Sequence, residues 1–432
     1  MSSNPGLFAS LRVRNYRLFA SGQVVSLTGT WMQRVAQDWL VLNLSHNSGT
    51  AIGLTTGLQF APVLLFGMYG GVIADRYPKR RVLVITQVAM GLLALALGLL
   101  DLSGAVVLWH VYVLAFALGI ATAIDSPVRQ AFVTELVGPS LLPNAVGLNS
   151  ATFNTARVLG PAVAGILIAT SGTADVFLIN AGSFVAVLAG LFMMRDSELY
   201  VGKPTARRKG AVREGLAYVR GRPELVAITC LVGVIGTLGF NFQLTSALMI
   251  RNTFHHGAGA YGVISAVYAF GSLLGALAAA RRGRAMRRRM VFAAAAAYGV
   301  IEILAGLMPT YWTFFAILIP FGFATLTFST AANTTVQLSA APSMRGRVMA
   351  LYLIVFMGGT PIGSPLIGWI AEVAGPRWSL ITGGVASAVA AVLAALYLAR
   401  REQLTVEPHL LRRRPHVHVR QLEPVEEQVL AG

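Results

Sequence analysis

Four ionisable residues sit inside long apolar runs, and they are the groups in this chain best placed to do chemistry. Arg34 and Asp38 lie one helical turn apart in Trp31-Met-Gln-Arg-Val-Ala-Gln-Asp-Trp39, with Gln37 between them. That spacing lets the two share a helix face and pair. Arg157 falls near the middle of a later apolar run, too deep to reach the interface easily, where a charge costs about 2.5–3.5 kcal/mol on insertion scales. Such a charge needs a partner or water. The pattern predicts that Asp38, Arg34 and Arg157 form one charged group facing a cavity, with Asp38 carrying a proton. A static ion-pair network that only fixes packing is the alternative. Glu302 is a second acid at membrane depth and the second coupling candidate. No Ser/His/Asp set, metal cluster or phosphate-binding loop accompanies these residues in the sequence. The expectation is therefore coupling rather than catalysis, with no cofactor and no metal.

Membrane-spanning helices must hold these groups. The chain is 55% hydrophobic and 12% charged over 432 residues, against about 25% charged in a soluble domain. Its mean hydropathy of +0.66 and 45 glycines describe a polytopic helical membrane protein. With about 20 apolar residues per crossing, the runs divide into twelve spans: 16–42, 51–74, 82–100, 106–129, 144–170, 174–194, 225–250, 259–280, 290–308, 310–335, 346–371 and 377–399. The longest connection splits them six plus six. The expected units are an N-terminal stretch 1–15, a bundle 16–194, a linker 195–224, a bundle 225–399 and a tail 400–432. The linker reads as a topogenic connection with a short amphipathic helix at 213–222, an anionic leaflet being the alternative resting place for it. The polar tail from Glu402 reads as disordered.

A net charge of +17 raises the question of nucleic acid, and the placement of the cations answers it. All of the 34 basic residues except Arg34, Arg129, Arg157, Arg251 and Arg377 fall at the same end of the spans. That is the asymmetry by which cytoplasmic loops orient a membrane protein. Both termini are expected in the cytoplasm of a bacterial-type inner membrane, with no nucleic-acid partner. The first stretch lacks the basic leader and A-x-A site of a cleavable signal. Cys230, the single cysteine, can form no intrachain disulfide.

The halves echo each other. Ala51-Ile-Gly-Leu in the second span recurs as Ala260-Tyr-Gly-Val in the eighth, and Ala156-x3-Gly160-x4-Gly165 in the fifth as Gly359-x3-Gly363-x4-Gly368 in the eleventh. Repeats in parallel imply a pseudo-two-fold axis along the membrane normal with a site between the halves. Between the second and third spans, Gly71-x-x-x-Asp75-Arg76-x-Pro78-x-Arg80-Arg81 combines small residues, one acid and a burst of cations. An ordinary topogenic cluster explains the arginines but neither Asp75 nor the glycines.

This loop resembles the one joining the second and third spans of the major facilitator superfamily, with Pro78 where that family usually has Gly. Trp31 to Leu40, Asp125-Ser-Pro-Val-Arg-Gln-Ala-Phe132, Leu148 to Pro161 and Met344-Arg-Gly-Arg-Val-Met-Ala-Leu351 most resemble its enterobactin-exporter branch of secretion permeases. The resemblance covers about 16–400. It implies an all-α membrane fold of twelve helices in two pseudo-symmetric six-helix bundles, working by alternating access.

By the same resemblance, Asp75 latches the cytoplasmic gate at the start of the eleventh helix. Gly71 allows the close approach, and Arg76 and Arg80 bridge the halves or hold acids such as Asp125, which shares a face with Arg129. Gly147, Gly160, Pro161 and Gly165 resemble the antiporter signature of drug and metabolite exporters. The mid-span arginine that many proton-coupled members carry in the fourth span is missing. The first, fourth, seventh and tenth helices should line the cavity, offering Gln37, Phe240, Asn241, Gln243, Thr327 and Asn333, a lining suited to a neutral or mixed amphiphile. A peripheral ninth helix favours a structural or lipid-facing role for Glu302. The implied function is proton-coupled export of a siderophore or drug-like amphiphile. The partners would be substrate, protons and membrane lipids, and the chain a monomer. Import of a small metabolite and a non-transporting membrane sensor are the alternatives.

Overall fold

The computed structural model describes residues 8–200, 211–282, 288–401, 404–409 and 416–421. The linker cations Lys203 and Lys209, the middle of the 280–289 loop and the tail acids Glu423, Glu426 and Glu427 lie outside the described residues. Among the described residues, ten stretches are long and apolar enough to cross a bilayer. One of them, Leu108–Ser171, has 64 residues and as a single helix would be about 96 Å long, three times the roughly 30 Å of hydrocarbon. It is two crossings meeting at Gly138, whose φ of 68° suits glycine, and Pro139 starts the next limb. The helix carrying the polar run 31–39 is a further crossing. The described residues thus hold twelve. In chain order these are Arg14–Leu44, Gly49–Arg76, Lys79–Leu102, the two limbs of Leu108–Ser171, Thr173–Phe192, Pro223–Thr253, Ala258–Arg282, Arg288–Leu307, Tyr311–Ser339, Arg345–Ala374 and Pro376–Arg401. Gly172 and Gly375, with φ of 94° and 97°, make matching one-residue connections after the fifth and eleventh spans. The expected all-α fold of two pseudo-symmetric six-helix bundles is the one observed.

The seventh span is not the continuous helix expected. Pro223–Val234 passes into a π-helical turn at Ile235–Gly239, breaks at Phe240 and Asn241, and resumes as Phe242–Leu248 before a second π turn, Met249–Thr253. Freed backbone groups at membrane depth must find partners within the protein. The Asn241 side chain donates to the Thr237 carbonyl at 2.8 Å and accepts from Ser364 of the eleventh span at 2.8 Å. Tyr298 of the ninth span donates to the Gly239 carbonyl at 2.7 Å. The break exposes Phe240 on three sides to Tyr298, Phe328 and Phe356.

The halves meet tightly at the end opposite the termini. A methyl group added at Gly49 would strike the Gly368 carbonyl, and one at Gly57 would lie 2.9 Å from the Pro365 ring. Gly165 and Gly262 bring the fifth and eighth spans equally close, with 2.9 Å from the one's added Cβ to the other's Cα. Small residues permit this approach. At the termini end the corresponding helices are apart: Gly67, Gly147 and Gly346 meet nothing within 4 Å among the described residues. The amphipathic helix, Ala211–Arg220, docks on protein. Glu214 pairs with Arg347 at the start of the eleventh span at 2.9 Å, Tyr218 accepts from the Ala341 amide, and Val219 is buried. Within the tail, expected to be disordered, Leu404–His409 pairs with His416–Gln421 as an antiparallel ribbon, while 402–403, 410–415 and 422–432 lie outside the described residues.

Gly368→Leu should force the closed end open, since the colliding Gly49 carbonyl is backbone and overpacking costs about 1–3 kcal/mol. Spin labels on the second and eleventh spans at that end should report longer distances. Gly147→Leu, on the open side, should leave the distances unchanged.

Candidate transport site

A cavity of about 340 Å³ lies between the halves at membrane depth. The first span lines it with Trp31, Arg34, Gln37 and Asp38, the fifth with Arg157 and Pro161, and the broken seventh with Phe240, Asn241, Phe242 and Gln243. The three residues expected to form a charged group are therefore brought to one space, although not as an Arg34–Asp38 pair. Arg34 lies over the Trp31 ring at 4.7 Å and near Phe60 at 5.7 Å, a placement favourable to a guanidinium. Asp38, 8% exposed, accepts instead from Tyr261 of the eighth span at 2.7 Å. That bond crosses from one half to the other. Trp39 stacks on the Tyr261 ring and carries Arg251 over its face at 5.1 Å, closing the cavity on the side of the tight seam.

The expected list of lining helices is corrected. The second span contributes Thr56, Gln59 and Phe60, the eighth Ser265 and Tyr268, and the eleventh Phe356, Met357, Thr360 and Ser364, while the fourth contributes nothing among the described residues. In the tenth span Thr325 faces the cavity, and Thr327 and Asn333 do not line it. Thr327 is two residues on, about 200° around the helix. Asn333 accepts from Gln337 at 2.7 Å. Tyr261, Ser265 and Tyr268 are spaced i, i+4, i+7 on one stripe, the signal from which the eighth span's part could have been read. Gln37 is bonded across to Gln59 at 3.1 Å.

Glu302 is 2% exposed, which overturns the lipid-facing reading. It lies against Gly383 of the twelfth span, whose added Cβ would be 2.9 Å from a carboxyl oxygen, and its other oxygen meets no partner among the described residues. It stands one turn from Tyr298, behind the break in the seventh span, and outside the cavity lining.

Of the residues expected at the cytoplasmic gate, Asp75, Arg76 and Arg80 line one space, and Gly71, Asp125 and Arg129 lie outside its lining. Asp75 and Arg76 are exposed and line a second space of about 850 Å³ at the termini end. Arg80 donates to the Leu191 carbonyl at 2.8 Å and pairs with Asp196 at 2.5 Å, so it closes the end of the sixth span within its own half. Asp125 takes neither Arg76 nor Arg80. It accepts from Thr86 and Gln87, each at 2.8 Å, and pairs with Arg129 at 2.5 Å. Gly71 is half-buried, and the contact with the fourth span is made by its neighbour Gly70, where an added Cβ would strike the Ala123 carbonyl. With the halves apart at this end, a latch between them has nothing to close on.

At the opposite end an acid does cross. Glu372 of the eleventh span accepts from the Ser48 hydroxyl at 2.7 Å and from the Thr50 amide at 2.9 Å, at the N-terminus of the second span. A carboxylate there satisfies an otherwise free amide and meets the positive end of the helix dipole. Arg251 adds a bond to Asn47 at 2.9 Å. Within the antiporter-like stretch, Gly160 packs on Trp31 and Gly165 on Gly262, Pro161 lines the cavity, and Gly147 touches nothing within 4 Å among the described residues.

Tyr261→Phe should weaken closure by about 1.5–3 kcal/mol, the worth of a bond to a charged group. In a background with Cys230 replaced, a cysteine at Thr56 should then react at least about ten-fold faster with a membrane-impermeant maleimide supplied from the closed end.

The family of transmembrane secretion effectors matches residues 5–423. The staphyloferrin A transporter of Staphylococcus aureus is 25% identical over 90% of this chain and 98% of its own, and the enterobactin exporter EntS of Escherichia coli O1:K1 is 24% identical over 91% and 94%. Among solved structures, a bacterial homologue of the human lysosomal transporter Spinster, in an inward-facing and unoccupied conformation, superposes with a TM-score of 0.68 at 18% identity over 90% of this chain and 97% of that one. A bacterial homologue of the iron transporter ferroportin, in an inward-facing state, gives 0.68 at 16% identity over 90% and 98%. With twelve helices around a central cavity and a family match along nearly its whole length, this chain belongs to the transmembrane secretion effectors of the major facilitator superfamily: it is a multi-span membrane transporter and not an enzyme.

Proposed function

We propose that this protein is a secondary active transporter that exports a siderophore or drug-like amphiphile in exchange for protons. The observation that carries the reading is the Asp38–Tyr261 bond at 2.7 Å, made across the two halves by the one carboxylate that lines the cavity among the described residues. A charge-assisted bond of this kind strengthens closure by about 1.5–3 kcal/mol. Protonation of Asp38 removes that charge. For exchange the proton is taken at the far side: cargo loaded at the open end parts the seam, Asp38 takes a proton there as cargo leaves, and release of that proton at the loading end re-forms the bond. The relatives named for staphyloferrin A and enterobactin support a siderophore as cargo.

The basic end of the bundle is assigned to the cytoplasm of a bacterial-type inner membrane. The tight seam with Glu372 then faces outward, and the open end presents the cavity to cytoplasmic cargo, as loading for export requires. In the opposite state Asp75 takes the place at the eleventh helix that the superfamily resemblance implies. A single chain encloses the complete cavity, which supports a working monomer.

Inverted vesicles with an imposed pH gradient test the reading, with siderophores and dye-like drugs as cargo. Wild type should accumulate at least one of them with release of protons, and Asp38→Asn at matched expression should abolish the accumulation. Transport that persists in Asp38→Asn would move the proton site to Glu302. Transport only against the reversed gradient would replace export by import.

A further inference from the structure

We infer that Arg157 is the subsite for an anionic headgroup, so that the cavity selects a ligand joining a carboxylate, or another planar oxyanion, to an aromatic or apolar body. The inference rests on reading this cavity as the transport site, and it revises the neutral amphiphile that the polar lining alone suggests. Three observations carry it.

The first is a charge imbalance. The cavity lining holds two guanidiniums, Arg34 and Arg157, and one carboxylate, Asp38. Glu302 lies outside it, behind Tyr298. The Asp38 carboxylate is engaged by Tyr261, and Arg34 is held over Trp31 and Phe60. The cavity therefore carries a net positive charge at a depth where unbalanced charge is costly.

The second is the state of Arg157 itself. Its Nε and Nη2 atoms are enclosed and meet no acceptor among the described residues. These two nitrogens direct their hydrogens the same way, and together they form the fork that a carboxylate takes with both oxygens. The nearby phenol of Tyr268 gives its hydrogen to Thr325 at 3.0 Å and makes no bond to the fork. A buried guanidinium left in this condition is disfavoured. Rotation of its long side chain turns the fork into the cavity, where an anion supplies what the protein does not.

The third is the aromatic part of the lining. Trp31, Phe60, Phe240, Phe242 and Phe356 line the same space, and Phe242 stacks on Tyr268 with ring centroids 3.7 Å apart. A flat apolar body fits among these faces while its headgroup reaches Arg157.

The test uses the purified full-length protein in lipid nanodiscs and two probes of equal shape, 2-naphthoate and 2-naphthamide. Binding is followed by quenching of tryptophan fluorescence, with Trp31 in the cavity wall. Naphthoate should bind about 10- to 100-fold more tightly than naphthamide, the range expected for a charge-assisted pair. Arg157→Gln should erase that preference while leaving the weak naphthamide binding in place, and Arg157→Lys should restore part of it. Equal binding of the two probes to the wild type would overturn the proposal without any variant, as would a preference that survives in a folded Arg157→Gln protein or a failure of both probes to quench. Charge-blind binding together with proton-linked export would sink the subsite and leave the export reading standing. A clear naphthoate preference without proton-linked export would do the reverse.

Discussion

A carboxylate and two guanidiniums placed at bilayer depth cannot be satisfied by lipid, and the centre of this structure follows from that constraint. Lipid offers neither hydrogen bonds nor counter-charge, so each group must find its neighbours inside the protein. Asp38 finds Tyr261 from the other half, Arg34 finds two aromatic faces, and Arg157 lines the cavity between the halves. The polar residues that would weaken a lone helix in hydrocarbon thus become the reason the two bundles close on one another. Removing the charge from one of them removes part of the reason for closure.

The closure itself is built from small residues and a helix end. Gly49, Gly53 and Gly57 on the second span meet Gly368, Ser364 and Pro365 on the eleventh, and Gly165 meets Gly262 on the pseudo-equivalent pair of fifth and eighth spans. Backbones this close gain dispersion contacts along their length. Such a seam can part without unthreading anything. Glu372 at the N-terminus of the second span shows how an acid from one half completes a helix end in the other. Asp75, at the other end of the second span, is exposed in this state.

The seventh span's break has a similar origin. Gly236 and Gly239 leave little side chain to hold the helix, and the carbonyls released there are taken by Asn241 and Tyr298. Phe240 is thereby turned among three aromatic rings at the cavity's edge. Helix distortions of this kind bring side chains to positions that a regular helix could not reach.

Much of the architecture was legible in the residues. Apolar runs of the right length, separated by basic loops, specify crossings because a bilayer leaves the backbone no alternative to a helix. The one-turn spacing of Arg34 and Asp38, and the depth of Arg157, marked the charged group for the same reason: charge in hydrocarbon is too costly to be incidental. What the linear chain could not contain was the identity of each partner. Tyr261 lies 223 positions from the carboxylate it holds, and Asp125 was taken up by Thr86 and Gln87 rather than by the arginines of the neighbouring loop. Thr327 and Asn333 were polar and on a plausible helix, but a rotation about its axis aimed Thr325 at the cavity instead. Periodicity and burial costs are local properties that a sequence carries on its face. Helix rotation, the choice among competing partners and which end of the molecule is closed depend on how all twelve helices pack at once, and only the tertiary structure decides them.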